Sequence, residues 1–297
     1  MKLKITHLTQ YTYKDPVVDS VNELRLSPIN DGRQSCCEHT IMIDPTVPLF
    51  PYTDYFGNLV HYFTINSPHQ HLTIKMDYIV ETTRMEQRER SLLTYEEERA
   101  ILINKKFQNK FADYLMETPY SVVTPELKKF VYTFIDENQS KSIYQLLEQI
   151  SNAIYSNFTY DQNVTNVNTT LEETLRLKRG VCQDYAHIMI AICRIFNIPS
   201  RYVSGYHFIG DIESNQSNFQ HASHAWVEAY VPSFGWVGLD PTNNGKIDLR
   251  YVKLSYGRDY SDIVPVKGVY KGSSNQNLKV LVDIQYIQEE GLNLKMY

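Results

Sequence analysis

Cys182, His224 and Asp240 are the residues whose types and order in this sequence could do covalent chemistry. Cys182 stands in "GVCQDYAH", two residues after Gly180, where an apolar helical pattern begins. Ala186, Met189, Ile190, Cys193 and Phe196 recur behind it at helical spacing. A thiol in the first turn of a helix lies among unpaired backbone N–H groups, and the helix dipole favours its thiolate. Gly180 leaves room for a sharp entry into that helix. The competing reading is a buried structural cysteine. Cys193, farther along the same face among Ile and Phe, is expected to be one.

A nucleophilic cysteine needs a base and a group to orient the base. Read as a strand, "SHAWVEAYV" puts His224, Trp226, Glu228 and Tyr230 on one face and Ala225, Val227, Ala229 and Val231 on the other. The second face is small and apolar, as a core requires. The first is polar and aromatic, as expected of a cleft wall, so His224 points at a site and Trp226 is a candidate for substrate contact. The alternative for His224 is an exposed strand histidine. Asp240 ends "GWVGLD" and is held extended by Pro241. Its carboxylate could accept the imidazole N–H of His224 and fix its tautomer, although "DPTNN" also reads as an ordinary turn. Each signal is modest alone, and the ordered set is stronger.

Attack by a thiolate on a carbonyl creates an oxyanion that needs two donors. The backbone N–H of Cys182 is a natural first. Tyr160, in the loop before the helix, and Gln183 are candidates for the second. In "GRDYSDIVP", Arg258 and Asp259 either bind substrate or pair with each other. Cys182, His187, His221 and His224 would be dispersed by helix and strand parity, so neither a metal site nor a cofactor is expected.

The elements that must position these residues follow from periodicity. Residues 1–85 alternate, as in "LVHYFTI" and "HLTIKMDYIV", and predict an antiparallel β domain. Residues 86–140 turn helical. Thr124 is a plausible N-cap there, with Pro125 at the first helical position. Residues 141–297 open with a helix over 142–157. A capping box of Thr170 and Glu173 follows, then the Cys182 helix and a return to strands. The whole predicts an α+β protein with three parts.

Composition narrows the partners. A net charge of −5 with no basic cluster argues against nucleic acid. No apolar run approaches a membrane span, and the N-terminus lacks the apolar core of a signal peptide. The 4 cysteines form no CxxC pair. A reducing cytoplasm is the expected compartment. The 23 tyrosines suit β surfaces and clefts.

The segments "RGVCQDYAHIMIAICRIFNIPSRYVSGY", "ASHAWVEAYVPSFGWVGLDPTNN" and "GRDYSDIVPVKGVY" resemble the transglutaminase-like superfamily. The opening "ITHLTQYTYKDPVVDSVNELRLSP" is similar to the N-terminal β region of its bacterial branch. That resemblance implies a papain-like core with a Cys-His-Asp triad, carried by Cys182, His224 and Asp240. It departs from the metazoan enzymes, which usually have Trp where this chain has Gln183, and no acidic loop resembles their calcium sites. The expected activity is acyl transfer through a thioester on Cys182. Hydrolysis of a peptide or protein amide comes first, amine transfer second, and a non-catalytic binding protein on the same fold third.

Overall fold

In the computed structural model, which describes residues 1–84, 93–210, 223–272 and 275–287, the alternating N-terminal segments form an antiparallel sheet. Its strands β1 (Lys2–Leu24), β2 (Gln34–Asp44), β3 (Phe50–Thr53), β4 (Leu59–Ile65) and β5 (His69–Thr82) lie in the order β2-β5-β1-β4-β3. The alternation is visible in burial: Leu72, Ile74, Met76, Tyr78 and Val80 of β5 all turn inward. A register break after Thr12 lets the first half of β1 pair with β5 and the second half with β4.

Helices α1 (Tyr95–Leu102), α2 (Lys105–Lys110), α3 (Ala112–Leu115), α4 (Pro125–Phe134) and α5 (Ile143–Asn157) follow. Thr124 caps α4 by accepting the Leu127 N–H at 3.1 Å, with Pro125 in the first turn. Buried Glu98 of α1 accepts the Ile143 N–H at 2.7 Å, so it holds the start of α5. Next come β6 (Thr159–Tyr160), α6 (Leu171–Leu177), β7 (Arg179–Gly180) and α7 (Cys182–Ile195). The capping box of Thr170 and Glu173 forms at α6.

A second antiparallel sheet is built from β8 (Ser200–His207), β9 (Ser223–Val231), β10 (Gly235–Asp240), β11 (Gly245–Lys246) and β12 (Tyr251–Gly257), in the order β11-β10-β9-β8-β12. Helix α7 packs on it. Every α7 residue from Gln183 to Arg194 is buried, the polar Gln183, Asp184, His187 and Arg194 included. Ala225, Val227, Ala229 and Val231 form the β9 face of that core, as their parity predicts. No helix among the described residues is long and apolar enough to cross a membrane.

Boundaries drawn from composition divide the chain differently from its cores. Leu102, Leu127, Phe130 and Val131, from the stretch read as a connecting region (86–140), join the same core as α5 and α7. The expected third part, 141–297, is shared between two sheets: β13 (Val266–Lys271) and β14 (Gln276–Tyr286) return to pair with β1. Tyr206, Phe208, Val252 and Leu254 of the second sheet also lie in the core of the first. Alternation identifies a strand but not its partner, so this return is invisible to periodicity.

Candidate active site

The entry to α7 depends on Gly180. Asp184, in the first turn, folds back to accept the Val181 N–H at 2.8 Å and the Thr165 hydroxyl at 2.8 Å. A Cβ on Gly180 would lie 2.5 Å from its Oδ2. The glycine thus admits the carboxylate that ties the helix start, and Cys182 follows as the first helical residue, half-buried. Parallel pairing of β6 with β7 sets Tyr160 opposite Gly180.

His224 stands near the start of β9. Its Nε2 lies 2.7 Å from Asp240 Oδ2, and Cys182 is close enough to act on the same ring. Asp240 is fully buried at the end of β10, and its two oxygens divide the work. Oδ1 accepts the Thr242 and Asn243 N–H groups at 2.9 and 3.3 Å, closing the turn. Oδ2 accepts His224, the Asn243 amide at 2.7 Å and the Tyr251 hydroxyl at 2.9 Å. Asp240 thus both closes the turn and contacts His224.

Burial alone would lower the His224 pKa, but the Asp240 carboxylate and Cys182 outweigh it and raise it to about 10. Burial pushes Asp240 up, yet His224, Asn243 and Tyr251 hold it down at about 2. Both shifts favour an imidazolium beside the Asp240 carboxylate. His207, His224 and Asp240 offer atoms within 4.8 Å of one another. Asp240 accepts from five donors there, His224 among them.

The other expected residues divide. Tyr160 is 47% exposed and close enough to Cys182 and Asp240 for both to act on its hydroxyl. Its pKa is raised, chiefly by partial burial, so it remains a donor. Gln183 is buried and its amide donates to the Val167 carbonyl at 3.4 Å, away from the thiol. Trp226 is 1% exposed, so it is no cleft wall. Its ring lies over Gly205, where a Cβ would come within 2.5 Å of it. Glu228 is likewise buried, paired with Arg201 at 2.7 Å and Lys253 at 2.8 Å. On that face Trp226 and Glu228 are thus buried, while Tyr230 packs on Phe107, Phe111 and Trp236.

Arg258 pairs with Asp262 at 2.8 and 2.9 Å instead of Asp259. Asp259 is buried and holds the turn at Ser261. His187 is stacked between Tyr120 and Tyr202, far from any role with the thiol, and its Nε2 accepts the Tyr260 N–H at 3.2 Å. His221 lies outside the described residues. Sequence reasoning missed Tyr251 and His207, whose rings stack at 4.0 Å beside His224. His207 shares strand parity with Gly205, which pairs with His224, so the register would have found it.

Comparison with known proteins places the chain in a family. Residues 3–81 match the bacterial transglutaminase-like N-terminal region, and residues 132–241 match the transglutaminase-like superfamily. An uncharacterized protein of Mycobacterium leprae is 31% identical over 95% of this chain and 98% of its own length. A 69-residue stretch is 38% identical to a protein-glutamine gamma-glutamyltransferase of Pseudomonas aeruginosa, covering 22% of this chain and 10% of that protein. The crystal structure of a "putative cysteine protease" from Cytophaga hutchinsonii superposes with a TM-score of 0.70 at 20% identity, over 96% of this chain and 97% of that one. The chain belongs to the transglutaminase-like superfamily and carries the bacterial transglutaminase-like N-terminal region.

Proposed function

We propose that the protein is a cysteine-dependent acyl-transfer enzyme that hydrolyses peptide or protein amides through a thioester on Cys182. The observation that carries this reading is His224, held at 2.7 Å by the buried Asp240 carboxylate and close enough to Cys182 to be acted on by it. Cys182 Sγ attacks the amide carbon, and its proton resides on His224. The oxyanion faces the backbone N–H of Cys182 at the start of α7 and the Tyr160 hydroxyl. His224 gives the proton to the departing amine as the C–N bond breaks, leaving the thioester. Water then attacks, His224 takes its proton, and the acid leaves as the thiol is restored.

Water is the favoured acceptor because the described part of the site is wet. Cys182 is half-buried and Tyr160 exposed, whereas amine transfer calls for a thioester sheltered from solvent. Amine transfer is the second reading, supported by the stretch shared with the Pseudomonas gamma-glutamyltransferase. The test is to incubate the protein with a library of peptide amides in excess primary amine and resolve the products by mass spectrometry. Free acid as the main product, absent with Cys182→Ala, is expected. An amine adduct dominating at low millimolar amine makes transfer the correct reading, and turnover that persists in Cys182→Ala removes both.

A further inference from the structure

We infer that Tyr251 and Gln34 are positioning residues for the Asp240–His224 pair, so that the N-terminal sheet helps to set the reactivity of Cys182. The inference rests on the proposed role of Cys182 and His224 and assigns a task to the N-terminal region.

Strand β12 is the edge of the second sheet, and an edge strand leaves backbone groups unpaired. Its register against β8 slips between Lys253 and Ser255. At Lys253 the open N–H and C=O are both taken by one side chain of the other sheet. Gln34, buried at the start of β2, accepts the Lys253 N–H at 2.7 Å and donates to the Lys253 carbonyl at 2.8 Å. The Ile29 N–H adds a second bond to that carbonyl at 3.1 Å. The Lys253 ammonium then bridges Asp31 at 2.9 Å and Glu228 of β9 at 2.8 Å. An amide that uses its donor and its acceptor on one residue's backbone fixes that residue in register and in height.

Two residues earlier on β12 stands Tyr251. Its ring is fixed by stacking on His207 at 4.0 Å and by an edge contact with Trp226 at 5.5 Å. Its hydroxyl donates to the Asp240 oxygen that holds His224. The clasp at Lys253 therefore determines where that hydroxyl lies. Without this donor, Asp240 Oδ2 is held only by the Asn243 amide and His224, and the orientation it gives His224 is less sharply set. Neither residue reaches the thiol, so their effect passes through Asp240.

The test is the alkylation of Cys182 by iodoacetamide at pH 6 and pH 9.5, scored against exposed Cys37 in the same chain. It needs no amide substrate. Tyr251→Phe keeps the ring and removes only the hydroxyl. It should slow Cys182 at pH 6 about tenfold, the scale of one hydrogen bond to a charged group. At pH 9.5 free thiols ionise unaided, and the rate should return to within about twofold of wild type. Gln34→Leu should act in the same direction by roughly threefold, and the double variant should be no slower than Tyr251→Phe alone, as expected for residues acting in one chain. Should Gln34→Leu fail to fold, Asp31→Asn must slow Cys182 at pH 6 in its place. Wild-type rates at pH 6, or equal slowing at both pH values, overturn the inference. If the variants behave as expected but no amide is hydrolysed, the hydrolase reading falls and the positioning role stands.

Discussion

Helix α7 carries one cysteine in its first turn and another in its body; the body also carries His187, whereas the first turn lies near His224 of β9. In the body, Cys193 is fully buried, and burial pushes its thiol up to about 12. His187 is stacked between two tyrosines and pushed down to about 3 by burial, despite the nearby Asp259. Both groups stay neutral and pack. At the first turn, Cys182 is half-buried, and His224 is raised to about 10 by Asp240 and by the thiol itself. The two cysteines and the two histidines thus stand in opposite surroundings. The difference lies in whether a carboxylate already satisfied by its own donors touches the histidine. Asp240 does so directly, whereas Asp259 is turned to its own loop.

The largest expected effect is at the first turn. Cys182→Ala should abolish turnover and leave the melting temperature within a few degrees of wild type, because the side chain is half-buried and its methylene is kept. A collapse of the melting temperature would make Cys182 a packing residue like Cys193.

Asp240→Asn should come next, with a rate loss on the order of 10³–10⁴-fold and a residue of activity. An amide can hold the imidazole but does not stabilise its cation. Steady-state rates on any hydrolysed amide decide this, and a loss under tenfold would show that His224 needs no orienting group.

In the body of the helix the effect moves from rate to stability. Cys193→Ser places a hydroxyl in an apolar pocket and should cost about 1–3 kcal/mol, read by denaturant unfolding, while iodoacetamide labelling of Cys182 stays unchanged. Altered labelling would mean that the two ends of the helix are coupled.

These residues differ in how far the sequence reveals them. Cys182, His224 and Asp240 are legible because a helix start, a strand parity and an X-Pro strand end are local features. The caps at Thr124 and Thr170 are legible for the same reason. The parity of β9 correctly gives its core face but misreads its other face as a cleft. Trp226 and Glu228 are buried there, and Lys253, which pairs with Glu228, is met by Gln34 from 219 residues away along the chain. Tyr251 and Gln34 carry no local signal, since their partners exist only once β12 meets β2. The same holds for β14, whose alternation fits either sheet.

The smallest effect expected is in the pH dependence of folding. His224 is raised in the folded chain, so its contribution is complete below its unfolded value of about 6.5 and is lost as pH rises toward 10. Asp240 is lowered, so its contribution is complete above about 4 and is lost as pH falls toward 2. The stability gap between wild type and Asp240→Asn should therefore be widest from about pH 4 to 6.5 and should narrow on both sides. A gap that is flat with pH would mean that the pair carries no linked proton.

The most direct measurement sets Cys182 against Cys37, which is exposed on β2. Native protein is treated with limiting iodoacetamide at pH 6, and the labelled peptides are counted by mass spectrometry. Cys182 should be alkylated first although it is the less exposed of the two, Cys193 last, and His224→Ala should reverse the order of Cys182 and Cys37. Labelling of Cys37 ahead of Cys182 in the wild type would contradict the assignment of Cys182 as a nucleophile activated by His224.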